Sequence, residues 1–121
     1  MTRDELINQQ KIICEKYGSD FSPVSFDDIV GVALESFEDL QMPVNGLRHP
    51  SDKGHPANWY IWCGEYSSAV DFFKPVHVQH LSDTHLGILK YLGLSPGWRF
   101  LFDDKGYEDV WFDDSLLLID K

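Results

Sequence analysis

The sequence predicts an α+β fold in which a small, mostly antiparallel sheet packs against one or two helices. Three observations carry that expectation: a capped helical signature at residues 2–18, a β-dense run NWYIWCG at 58–64, and an alternating aromatic hairpin over residues 97–112. At 121 residues the chain fits a single domain, 1–121. A chain of this size buries roughly two thirds of the surface that its unfolded form exposes. A hydrophobic content of 43% argues for a packed core despite a formal charge of -10.

Thr2 and Glu5 form a capping box ahead of Leu6, Gln10, Ile13 and Tyr17 at helical spacing, and Gly18 stands where a helix should stop. Ser22-Pro23 then breaks the chain. The segment SFDDIVGVALESF (25–37) reads either as a second helix start at Ser25 and Asp28 or as a buried strand IVGVAL, and the strand is preferred. Residues 41–58, rich in Pro, Gly and Asn, read as irregular loop around a short segment at Gly46 to His49. Asn58 to Cys63 reads as a strand ending at Gly64. EYSSAVDFFKP (65–75) is a loop closed by Pro75. Ser82 or Asp83 then caps a helix carrying Leu86, Leu89, Tyr91 and Leu92, which ends at Gly93. Ser95-Pro96-Gly97 is a turn.

In the hairpin, Asp103-Asp104-Lys105-Gly106 suits a type I turn with Gly106 left-handed, a three-residue loop that pairs Asp103 with Tyr107. That register puts Trp98, Phe100, Phe102, Val110 and Phe112 on one face. It puts Arg99, Leu101, Tyr107, Asp109 and Trp111 on the other, with Arg99 opposite Trp111 and diagonal to Asp109. The second face has two readings. Either helix 1 covers it and Arg99 pairs internally with Asp109, or it is offered to a partner together with the nearby Trp59 and Trp62.

Composition excludes more than it identifies. No apolar run approaches the length of a membrane helix and the N-terminus lacks an apolar signal core, so a cytoplasmic location is the default. Twenty acidic against ten basic residues repel nucleic acid and anionic lipid and steer a basic protein partner into contact. Cys14 and Cys63 have no metal-ligand spacing and read as free, packed thiols.

Catalytic readings are available but weak. His77, His80, Asp83 and His85 are metal-ligand types within nine residues, yet their spacing is not HExxH and they do not share one helix face. Cys63, Glu65 and the serines of CGEYSS lack a nucleophile motif. The pairs Asp103-Asp104 and Asp113-Asp114 are better explained by turn chemistry, with Asp114 capping a short terminal segment. No feature implies a cofactor.

The motifs PVNGLRHP (43–50), NWYIWCGEYSS (58–68), DFFKPVHVQHL (71–81) and YLGLSPGWRFLF (91–102), followed by GYEDVWFDDSLL (106–117), resemble bacterial immunity proteins of polymorphic-toxin systems. The resemblance runs from near Ile29 to Ile119, with Gly97 to Phe100 as its GWRF signature. It implies a non-enzymatic cytoplasmic protein that binds one cognate toxin domain and neutralises it by occluding the active site. Nuclease toxins are often basic, so carboxylates could occupy the phosphate subsites of such a toxin. The resemblance transfers no binding residues. The residues expected to meet the partner come from the hairpin itself: Arg99, Asp103, Asp104, Tyr107, Asp109, Trp111 and Asp113. The alternatives are a small metal-dependent hydrolase built on His77, His80 and Asp83 or His85, and a general protein-interaction adaptor.

Overall fold

The computed structural model describes residues 2–38, 41–50, 58–84 and 86–118. Helix α1 (Arg3–Tyr17) starts at the expected capping box, with the Thr2 hydroxyl accepting from the Glu5 amide at 3.2 Å and the Glu5 carboxylate accepting from the Thr2 amide at 3.3 Å. The chain then runs through β1 (Ile29–Val32), α2 (Leu34–Glu38), β2 (Val44–Arg48), β3 (Trp59–Cys63) and β4 (Lys74–His77). After these come α3 (Val78–Thr84), α4 (Leu86–Leu89), β5 (Trp98–Phe102), β6 (Glu108–Phe112) and a closing 3-10 turn, Asp114–Leu117. No helix among the described residues is long and apolar enough to cross a membrane.

The six strands form one sheet in the order β4-β1-β3-β2-β5-β6, antiparallel throughout except for the β1–β3 pair. The expected α+β architecture is therefore present. One sheet face supplies Val30, Val32, Val44, Trp59, Ile61, Cys63, Phe100 and Val110 to a core closed by residues from all four helices, including Leu6, Phe37, Leu81 and Ile88. On α1 the buried stripe is Leu6, Gln10, Ile13 and Cys14. Two of its members bond across the interface: Gln10 Nε2 donates to the Leu89 carbonyl at 3.2 Å, and Cys14 Sγ donates to the Gly93 carbonyl at 3.3 Å.

Several boundaries differ from the sequence reading. The preferred strand at 29–34 exists only to Val32, because the chain turns into α2 at Leu34. Ser25 and Asp28 bond each other, amide to carboxylate at 2.8 Å and amide to carbonyl at 3.1 Å, as a local turn before the strand rather than a helix start. Pro75 does not close a loop but lies inside β4, an edge strand where a missing N–H is tolerated. The later helix begins at Val78, not at Ser82 or Asp83. Ser82 lies inside α3, its hydroxyl donating to the Gln79 carbonyl at 2.7 Å. Helical residues end at Leu89 rather than Gly93.

The largest difference is β2, where irregular loop around a short segment at Gly46 to His49 was expected. It is the strand that pairs with both β3 and β5, near the centre of the sheet. Its pattern misleads because the inward positions are Val44, Gly46 and Arg48. Gly46 is required by packing: a Cβ there would lie 2.1 Å from the Phe100 ring. Phe100 fills that space and stacks on Tyr91 at 4.6 Å, with Trp59 at 5.4 Å.

Arg48 is 4% exposed. Its Nη1 donates to the carbonyls of Ser22 at 3.0 Å, Leu92 at 3.4 Å and Leu94 at 2.7 Å, and its guanidinium lies 5.8 Å from the centre of the Trp59 ring. Burial lowers its pKa to about 10, so it stays charged at neutral pH. Removing it strands the inward carbonyls of Ser22 and Leu94 and leaves that of Leu92 to the Trp59 indole alone. Arg48→Met is expected to lower stability by about 2–4 kcal/mol. A urea midpoint equal to that of the unaltered protein would contradict this account.

Candidate functional site

The sheet's second face has no helix on it among the described residues, since α1 to α4 all contribute to the opposite core. Cross-strand register places Pro75, Gly31, Tyr60, Leu47, Arg99 and Trp111 in one lateral row across all six strands. A second row runs Trp62, Asn45, Leu101 and Asp109. From β1 to β6 the first row is half-buried rather than solvated.

The loop 64–73 folds onto one end of this face. Phe73 packs edge-on against Tyr60 at 5.2 Å and Trp62 at 6.1 Å, and Tyr66 meets Trp62 at 5.4 Å. The loop thereby covers Trp62 while Tyr66 itself stays 60% exposed. Between the loop and the row, Leu47, His49, Tyr60, Tyr66 and Phe73 surround a depression of about 300 Å³. His49 is fixed by a 3.1 Å contact between its Nδ1 and the Leu116 carbonyl.

The hairpin has the expected register, with Arg99 opposite Trp111, and the Asp103 amide donating to the Tyr107 carbonyl at 3.1 Å. Gly106, at φ +94°, supplies the left-handed residue that the turn needs. The reading that helix 1 covers the Arg99 face is corrected: α1 lies on the other side, where Lys16 and Tyr17 reach Glu108. Trp59 is also on the core side, fully buried, with its indole N–H donating to the Leu92 carbonyl at 3.0 Å.

The expected partner residues fall into groups with different duties. Arg99 lies over Trp111, 5.3 Å from the ring centre, and its Nη1 bonds Asp113 at 3.2 Å. Asp113, not Asp109, is thus its internal partner. Asp109 stands opposite Leu101 and remains exposed. Asp113 also caps the 3-10 turn, a role the sequence reading gave to Asp114, by accepting from the Ser115 hydroxyl at 2.6 Å and amide at 3.1 Å. Those bonds, with Arg99, hold its pKa below the ordinary carboxylate value. At the tip, Asp103 accepts from the amides of Lys105 and Tyr107 at 2.8 and 3.0 Å, while Asp104 and Tyr107 point into solvent.

Groups with catalytic potential are differently placed. Cys63 is buried, and burial pushes its thiol up to about 11; burial also raises that of Cys14. His77 lies on β4 and His80 on α3. Among the described residues no three of His, Cys, Asp or Glu come together as metal ligands would. His85 and the side chain of Asp83 lie outside the described residues.

Sequence reasoning missed Glu108. It sits opposite Phe102 on the core face of the hairpin, a position whose polarity was the available signal. Its carboxylate accepts from the hydroxyls of Tyr17 and Tyr91 and from Lys16 at 2.9 Å, with Lys90 at 3.7 Å. Burial alone would raise its pKa, but the hydrogen bonds from Tyr17, Tyr91 and Lys16 outweigh burial and hold it down to about 2. Missed too was the ring formed by Tyr60, Tyr66 and Phe73, which needs β3 and the 64–73 loop to meet in space.

Comparison with known proteins matches residues 9–113 to the Imm33-like domain. No curated protein and no solved structure matches the chain.

Because the Glu108 pKa is depressed in the fold, its contribution to stability is present above the ordinary value of 4.5 and is lost as pH falls toward about 2. The urea midpoint of the protein is expected to decline across that window, and that of Glu108→Gln to decline less steeply. Parallel pH profiles for the two proteins would refute the assignment.

Proposed function

This chain belongs to the Imm33-like domain family of polymorphic-toxin immunity proteins, and we propose that it binds one cognate toxin domain in the bacterial cytoplasm and neutralises it without turnover. The observation that carries the reading is the sheet face that bears no helix among the described residues. A half-buried row of Tyr60, Leu47, Arg99 and Trp111, with acidic residues such as Asp109 at its margin, has the anatomy of an interface: aromatic and arginine anchors inside, polar rim outside. The acidity of the chain, -10 overall, accelerates approach of a basic domain.

Within that reading the seven hairpin residues divide by task. Trp111, with Arg99 held over it, forms the anchor; Tyr107, Asp104 and Asp109 meet the partner from the rim. Asp103 and Asp113 act at one remove, by fixing the turn and the Arg99 geometry. Chain 1–121 acts as one domain.

The test is co-expression with the toxin domain encoded beside this gene. Rescue of growth and a stable complex are expected, and failure of both would remove the proposal. Asp104→Asn with Asp109→Asn, which leave the fold's own bonds intact, should slow association several-fold at low salt and little at high salt. Trp111→Ala should speed dissociation, at a cost of about 2 kcal/mol.

A further inference from the structure

We propose that the depression walled by Tyr60, Tyr66, Phe73, Leu47 and His49 is a receptor for one cationic side chain, an arginine or lysine, projecting from the protein partner. The inference rests on the immunity reading for the partner's origin, but on the site's own chemistry for the ligand.

Three aromatic rings from two separate elements meet there: Tyr60 on β3, and Tyr66 and Phe73 on the loop. The ring centres of Tyr60 and Phe73 are 5.2 Å apart and those of Tyr66 and Phe73 are 6.1 Å apart. The rings are inclined to one another by 70° and 49°, and all three line the depression. The volume of about 300 Å³ admits a side chain and not a folded element. An aromatic enclosure of this kind holds cations through the negative faces of its rings, and the attraction grows as the site loses water.

The electrostatic surroundings favour a cation over a neutral occupant. The loop that supplies Tyr66 and Phe73 also carries Glu65 and Asp71, both exposed. Among the described residues, the positive charge that neighbours it in the row is Arg99, beside Leu47, which is already paired with Asp113 and held over Trp111. That contact shows the same pairing of guanidinium and aromatic ring, made internally, on the same face. Lys74 pairs with Val32, a core-face position, so its register belongs to the other side.

The probe is N-acetyl-arginine amide, titrated into the purified protein and followed by the aromatic NMR signals of Tyr60, Tyr66 and Phe73, with N-acetyl-norleucine amide as a neutral probe of similar length. Saturable shifts at these three rings with the arginine probe, and weaker binding by roughly fivefold or more with norleucine, are expected. Equal affinity for both probes would overturn the proposal in favour of an apolar socket, and no localised shifts with either would overturn it outright. Tyr66 is exposed on a loop, so its variants should fold. Tyr66→Phe should retain arginine binding, whereas Tyr66→Leu should lose it; equal retention in both would contradict the role of the ring face. Because this titration needs no toxin, it can fail while co-expression succeeds, or succeed while co-expression fails.

Discussion

A charged guanidinium inside an apolar core fixes the arrangement of this molecule. Arg48 reaches from the middle of the sheet to the carbonyls of Ser22, Leu92 and Leu94, segments far apart in sequence. Trp59 donates to the same Leu92 carbonyl, and the Ser22 amide donates to the Gly93 carbonyl. The post-helical turn at 90–94 is therefore bonded to the sheet below it and to the chain leaving α1. Its irregular backbone would otherwise carry unmet acceptors in a water-poor place, at a cost comparable to the hydrogen bonds themselves.

That constraint also explains what was legible in the sequence. Helix α1, strand β3 and the β5–β6 hairpin could be read directly, because their signals are local: a capping box, a dense run of β-formers, and an alternating pattern with a left-handed glycine in the turn. Strand β2 could not be. Its inward residues are an arginine that finds its acceptors in distant segments and a glycine whose missing side chain is replaced by the ring of Phe100. Both choices look like loop chemistry until the tertiary partners are known. The same holds for Glu108, a carboxylate on an apolar face whose donors come from α1 and from residues 90 and 91.

The candidate site shows a similar split. Alternation within the hairpin was enough to separate its two faces and to group Arg99 with Trp111. It could not extend the surface across the sheet, because that requires knowing that β2 lies between β3 and β5. Once it does, Tyr60 and Leu47 join the row. The internal partner of Arg99 moved from Asp109 to Asp113 for a related reason: the 3-10 turn folds back after β6, and strand register says nothing of it.

The two sheet margins bear on how a second molecule can dock. At one margin β4 is four residues long and contains Pro75, which cannot donate to a further strand. At the other, β6 opens with Glu108 and Asp109 and runs into Asp113 and Asp114, charges that disfavour pairing with a neighbouring strand. Both ends of the ladder are thus poor templates for strand addition. The chain is guarded against edge-to-edge aggregation, and a partner finds its contact area on the broad side of the sheet instead of extending it.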